Sequence, residues 1–305
     1  MHRIPKRIVL SRKGFDTTYG GCASPIFKDG EMMSLPIPEN SSHTKVRTTF
    51  EMLRGKQARN IPSAIEQLCP ARYADLPKKV HLDPDLRPLL RRKNQSNSKG
   101  YFGQCGGSQA GLKSGGVCDP NNHSLFLFYG WFRGVEEEND GGLRYIRAEA
   151  NKPMSQNQHV IWGWLQVKTQ YEIRENQALP PELEFADHHP HIEHRDRKNN
   201  FLYEGMSRLT FDNNKLGSGI FPRYHADLRL TCPDEFNRMS YWRVPPFLRS
   251  AATGGVNTQW KKQCSNAQSL RYQGPGQEFI FNTEGCQNET ADWLTKLFRH
   301  AENFQ

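Results

Sequence analysis

Apolar residues along this chain gather into short dense blocks with long polar stretches between them. The first block, Ile8, Val9 and Leu10, is a run of β-formers and predicts an opening strand. In "SSHTKVRTTFEMLRGK" the positions Val46, Phe50 and Leu53 fall on one helical face behind a Ser/Thr start signal, which predicts a helix. "IPSAIEQLC" reads as a second, short helix, and "HLDPDLRP" as a turn with acids on both sides of a proline. The clearest signals lie in the middle. "SLFLFYGWFRGV" at 124–135 and "HVIWGWLQVKTQYEI" at 159–173 are continuous apolar runs, and they predict a largely buried antiparallel pair. Beyond residue 205 the pattern breaks into short strands and polar turns. Near the end "QEFIFNT" predicts a strand. The stretch "ETADWLTKLFRHAENF" predicts a helix with Trp293, Leu294, Leu297, Phe298 and Ala301 on one face. No internal repeat is present. The element order predicts an α+β fold: a single mixed domain over 1–305, strand-rich at about 120–205, with a C-terminal helix.

Composition narrows the class. The 305 residues are enough for a sizeable core, and 11% aromatics with 6 Trp are foreign to disordered chains. A mean hydropathy of -0.78 fits a polar surface with long loops. No run approaches the roughly 20 apolar residues of a membrane span. The opening "MHRIPKRIVLSRKGFD" has too short an apolar core for a secretory signal, so a cytoplasmic location is expected. Seven scattered cysteines without a CxxC pair predict reduced thiols rather than a disulfide framework. A net charge of +9 draws the chain toward polyanions, with nucleic acid or a nucleotide as the expected partner. Part of that charge sits in "RPLLRRKNQSNSKG" at 87–100, which reads as a basic surface loop.

Several groups are candidates for chemistry. In "SRKGFDTTYGG" after the first strand, Arg12 and Lys13 suit phosphate oxygens, and Asp16 suits acid/base or metal work. Gly20 and Gly21 allow close backbone approach. The alternative is an ordinary turn in which Asp16 caps a backbone N–H. Asp83 and Asp85 flank a proline and suit a divalent cation or an acid/base couple, or else an Asx turn. In "FADHHPHIEHRDRK" an extended reading aligns Asp187, His189, His191 and Glu193 on one face, a donor set for a transition metal. Gln104 in "YFGQCGG" and Gln277 with Glu278 in "GQEF" are candidates for reading a base edge or moving a proton. Cys105 beside Gln104 is a bland thiol or a nucleophile. Six glycines between 103 and 116 match neither a P-loop nor a dinucleotide fingerprint. The aromatics Tyr129, Trp131, Phe132, Trp162 and Trp164 are candidates for stacking on bases or for core; alternation buries one subset and turns the other to a pocket, and Trp131 and Trp162 fit either side.

The segments "IVLSRKGFDTTYGGCASPIFKDGEMMSLPIP", "HLDPDL", "YFGQCG", "LFLFYGWFR", "VIWGWLQV", "HPH" and "GQEFIFN" occur in order from about residue 7 to residue 300. In that order they resemble the nucleotide modification associated domain 3 family of bacterial and phage proteins. The resemblance implies association with DNA-base or nucleotide modification, without a stated reaction. It falls most heavily on the opening loop and on His189 and His191. The chain departs from the family pattern at "PNNHS" before residue 125, where Gly-Asp is expected, and in the long basic loop. A shorter likeness of "LFLFYG" and "IWGWLQV" to PUA- and EVE-type barrels implies a reader of modified bases instead.

The expectation is therefore a modification enzyme with a cleft floored by the opening loop and walled by the His-rich segment. Asp16, Asp83, His189 and His191 would be its catalytic groups, with a divalent metal as the implied cofactor. A non-catalytic reader, and a nuclease using Asp16, Asp83 and Asp85 as metal ligands, are the other classes.

Overall fold

The structure is a computed structural model. It describes residues 3–39, 46–53, 59–86, 99–139, 141–150, 152–234, 238–254, 259–264, 267–271 and 278–301. Gln277 and most of the basic loop, residues 87–98, lie outside the described residues.

A ten-stranded mixed sheet organises the chain. Its first strands are β1 (Arg7–Arg12) and β2 (Ser24–Ile26); the helices α1 (Ile61–Leu68) and α2 (Pro70–Tyr73) follow. Then come β3 (Tyr101–Gln104), α3 (Gly106–Ser114), the long strand β4 (Leu125–Glu137), β5 (Leu143–Tyr145) and the longer β6 (Gln158–Glu172). A helical turn α4 (Pro190–Glu193) precedes β7 (Phe201–Gly205), β8 (Ser218–Ile220) and β9 (Tyr241–Arg243). The chain finishes with α5 (Phe247–Ala251), β10 (Ala252–Gly254), β11 (Gln259–Cys264), β12 (Ala267–Arg271), β13 (Glu278–Asn282) and α6 (Gln287–Phe298).

The main path runs β10-β13-β1-β4-β6-β7-β3, with β2 and β5 paired to β4 and β8 paired to β6. A separate three-stranded sheet, β11-β12-β9, completes the β structure. Strand β4 lies parallel to β1 and β2, while β4 and β6 form the expected antiparallel pair. The path ends at β10 and β3, which do not pair with each other. The sheet is open, so the barrel implied by the PUA and EVE likeness does not form.

Burial explains the middle of the sheet. Leu125 through Phe128 and Val160 through Leu165 are withdrawn from water on both faces, as continuous apolar runs demand. Helix α6 covers one face: Phe298 packs on Trp164 at 5.2 Å and on Phe221 at 5.5 Å, with Leu294 and Leu297 in the same core. A second core under the opening loop gathers Phe15, Phe27, Leu35, Phe50, Ile65 and Val80. Helix α1 enters it, started by Asn60, whose Oδ1 accepts the Ser63 N–H at 2.8 Å.

Three sequence expectations need correction. Residues 46–53 are not helical apart from one 3-10 turn, Phe50–Met52. Thr48 and Phe50 instead bond the backbone of residues 78–80 (Val80 N to Thr48 O and Phe50 N to Lys78 O, both 3.0 Å). Val46, Phe50 and Leu53 are buried, so the apolar pattern was meaningful but the period was not. Second, Cys22 and Cys69 form a disulfide across 47 residues, where reduced thiols were expected. The second core brings the two segments together, a contact that spacing alone does not reveal. Third, the His-rich segment is not extended. Pro190 opens α4 and His189 caps it, since proline's fixed φ suits the first helical position. Among the described residues, no helix is long and apolar enough to cross a membrane.

Candidate active site

Five segments distant in sequence meet at the C-terminal end of β1. Lys13 is held there by its backbone: its N–H donates to Tyr129 O at 2.7 Å, and its own carbonyl accepts from Trp162 Nε1 at 3.3 Å. A Cβ on Gly130 would stand 2.8 Å from that carbonyl, so glycine is what lets β4 approach. The side chain reaches over the Phe102 ring, 4.6 Å from its centroid, and places Nζ 3.5 Å from Asp83 Oδ2.

Asp83 arrives on segment 80–83, where His81 donates its N–H to Ile37 O and its carbonyl accepts the Asp83 N–H, both at 2.9 Å. The Asp83–Pro84 peptide is cis. Gly103 of β3 donates its N–H to Asp83 Oδ1 at 2.7 Å. A Cβ at Gly103 would lie 2.2 Å from the His191 ring, so the glycine both feeds the carboxylate and makes room for the imidazole. His189 Nε2 stands 3.3 Å from Asp83 Oδ1, and His191 Nε2 stands 3.9 Å from Oδ2. His191 is fixed in turn by Asn200, just before β7: Nδ1 lies 2.6 Å from Asn200 Oδ1, while Asn200 Nδ2 donates to His191 O at 2.7 Å. His81 is the fourth group. Its Nδ1 meets Glu39 Oε2 at 2.7 Å, and its ring centroid is 5.8 Å from that of His191.

Glu278 supplies a second carboxylate beside Lys13. It pairs with Ser11 across the β1–β13 register, and its Oε1 accepts from Ser11 Oγ at 3.3 Å and Gln104 Nε2 at 2.6 Å. The two acids are driven apart. Burial alone would raise Asp83, but Lys13 and His189 outweigh it and hold its carboxyl far below the ordinary range. For Glu278 burial wins over Lys13 and the hydrogen bonds, and its carboxyl is raised. Burial also lowers His191 to about 3, despite the opposing charge of Asp83, so this imidazole is neutral. The side chains of Lys13 and His81 are each 11% exposed and mark the side that meets solvent.

The structure thus brings together Lys13, Asp83, Gln104, His189, His191 and Glu278. It leaves the other candidates elsewhere. Asp16 is busy in its own turn: Oδ1 accepts from Thr18 N at 2.7 Å and Tyr19 N at 2.6 Å, and Oδ2 meets Arg12 Nη2 at 3.1 Å. Gly20 and Gly21 serve that turn with φ of +93° and +80°. Asp85 bridges to Tyr101 through its backbone, N–O 2.9 and 3.0 Å. Asp187 and Glu193 face Arg47, at 3.7 and 2.8 Å, away from His189 and His191. Trp131 is half-buried with Nε1 on Asn157 Oδ1 at 3.0 Å, whereas buried Trp162 does reach the cluster, through the Lys13 carbonyl. Cys105, a free thiol, stands at the start of α3 without a side-chain capping bond. His81, Glu39, Ser11 and Asn200 were not singled out from the sequence. His81 had a signal, since "HLD" sets a histidine two residues from Asp83.

A cavity of about 630 Å³ lies apart from these groups, lined among others by Phe27, Asp29, Glu31, Arg59 and Glu137. Arg59 closes its charges internally, bonding Asp29, Glu31 and Glu137 at 2.9, 2.8 and 3.0 Å. The chemistry therefore points to the buried cluster rather than to the larger hollow.

The family model for nucleotide modification associated domain 3 matches residues 7–282, a span that holds every residue of the cluster. The chain belongs to this family. Its name associates the family with nucleotide modification, and the matched span includes Lys13, Asp83, the His189–His191 pair and Glu278. No curated protein and no solved structure matches the chain.

Proposed function

We propose that this member of the family is an enzyme of nucleotide or DNA-base modification, and that the cluster around Lys13 is its active site. The observation that carries the reading is the Lys13 ammonium 3.5 Å from Asp83 at the edge of a buried cluster whose two carboxyls, Asp83 and Glu278, have proton affinities pushed in opposite directions. Such a separation assigns roles: an acid kept ionised for electrostatics and a second that holds a proton more readily than an ordinary carboxyl.

In this reading Lys13, on the solvent side, takes an anionic oxygen of the phosphorylated substrate as a point charge. Asp83 holds that ammonium in place and is itself fixed by the Gly103 amide. Glu278 is the proton donor or acceptor, oriented by Gln104 and Ser11. The neutral imidazole of His191 and the ring of His189 wall the far side. A base inside a duplex would have to leave the stack to reach groups this enclosed. The family match and the net charge of +9 both support a nucleotide or nucleic-acid partner.

The test is nucleoside analysis by mass spectrometry on DNA and on the nucleotide pool from cells expressing the full chain or Glu278→Gln. A mass-shifted nucleoside that depends on Glu278 is expected. An identical shifted product from the variant would remove Glu278, and with it the acid/base assignment.

A further inference from the structure

We propose that His81, Asp83 and His191 bind one first-row divalent metal ion. One ring nitrogen of each histidine and a carboxylate oxygen of Asp83 lie within 4.8 Å of one another. Two imidazoles and one carboxylate suit Zn²⁺, Fe²⁺, Mn²⁺ or Co²⁺, and three protein ligands leave positions open for water or substrate. The proposal takes the same cluster as the functional centre but does not depend on the reaction assigned to it.

The second observation is how the rings are held. The Glu39 carboxylate accepts, so His81 Nδ1 donates at that 2.7 Å contact and Nε2 is the nitrogen left to face an ion. Asn200 is oriented by its two donations to His191 O and His194 O, so its Oδ1 accepts and His191 Nδ1 also carries the proton. Both rings therefore present Nε2 as the donor atom, each braced behind by an oxygen, which is the outer-shell arrangement of metal-bound histidine. An ion-pair lattice around Asp83 accounts for Lys13 and His189. It gives no reason for the His81 and His191 rings each to be braced from behind by an oxygen beside one carboxylate.

His189 takes another role. Its Nδ1 accepts the His191 N–H at 3.3 Å, so Nε2 is the protonated nitrogen. That nitrogen is buried, lacks a partner in hydrogen-bond geometry, and sits 3.3 Å from Asp83 Oδ1. The Gly103 amide already holds Oδ1 at 2.7 Å, which leaves Oδ2 for the ion. Lys13 shares Oδ2, so the ammonium and the metal compete, and Lys13→Met should tighten metal binding. A second triad, His225, Asp227 and His300, lacks this logic: Lys296 and Arg299 already reach Asp227 at 3.1 and 2.8 Å.

The test uses the full chain stripped with a chelator and titrated with Co²⁺ and then Zn²⁺ alone. Bound metal is read by elemental analysis and, for Co²⁺, by visible absorption. About one equivalent is expected in the wild type, weakened at least tenfold in His81→Gln and about 10- to 100-fold in Glu39→Gln, and unchanged in His225→Gln. His81→Gln carries the test if His191→Gln, at a fully buried position, does not fold. Binding far below one equivalent, or unchanged in folded His81→Gln, overturns the site. Because metal alone is the probe, a metal-free chain that still modifies nucleotides refutes this inference and spares the proposed function. A metal-loaded chain without nucleotide chemistry does the reverse.

Discussion

Gly103 gives its N–H to Asp83 Oδ1 at 2.7 Å while the place of its missing Cβ is taken by the His191 ring. One residue without a side chain thus joins a strand, a carboxylate and a helical turn that lie far apart in sequence. Gly103→Ala should push the imidazole aside and destabilise the fold by about 1–3 kcal/mol. Thermal unfolding checks it, and a melting temperature equal to that of the wild type would show that His191 moves freely.

Lys13 and Asp83 should be energetically coupled. Asp83→Asn leaves the ammonium without its charge partner, and Lys13→Met leaves the carboxylate without its own. Each should cost more alone than the pair costs together, with a coupling of about 1–3 kcal/mol from a double-mutant cycle. Additive effects would mean that the 3.5 Å contact carries no energy.

Asp16, singled out in the sequence as catalytic, has a structural task here. Asp16→Ala removes the acceptor of two backbone N–H groups and should destabilise the chain by about 0.5–2 kcal/mol. Nucleotide binding per folded molecule should be unchanged. Lost binding in a stable variant would return Asp16 to the site.

Acid sensitivity should arise in part from His159. Burial, with Arg12 adding to it, lowers this imidazole to about 3, and Trp242 Nε1 donates to its Nδ1 at 2.9 Å. The folded chain therefore keeps it neutral where the unfolded chain protonates below about 6.5. Its contribution is complete above that pH and is lost as the pH falls toward 3, at up to about 1.4 kcal/mol per unit. Urea unfolding across that range should show a shallower slope for His159→Gln than for the wild type.

Much of this was readable from the residues. Continuous apolar runs located β4 and β6, the 3.6-residue stripe located α6, and residue chemistry picked Lys13, Asp83, Gln104, His189, His191 and Glu278. What the sequence hid is long-range. The pairing of Ser11 with Glu278 and the seat of His191 against Gly103 follow from strand order, which local pattern does not encode. Asn200 carries no motif, and its value appears only once β7 places it behind the imidazole. The His-rich segment misled because alternation was counted through Pro190, whose fixed φ starts a helical turn. That turn sends Asp187 and Glu193 toward Arg47 and keeps His189 and His191 together. Val46, Phe50 and Leu53 were correctly apolar, yet the backbone of residues 78–80 took the Phe50 N–H and the Thr48 carbonyl that a helix would have used.

The most direct test of the active-site assignment is calorimetric titration of the full chain with nucleoside monophosphates and a short oligonucleotide, beside Lys13→Met. The account predicts that a phosphorylated ligand binds the wild type and that the variant, folded, binds it at least about tenfold more weakly, or roughly 1.4 kcal/mol. Equal affinity in the two proteins would place the substrate elsewhere and contradict it.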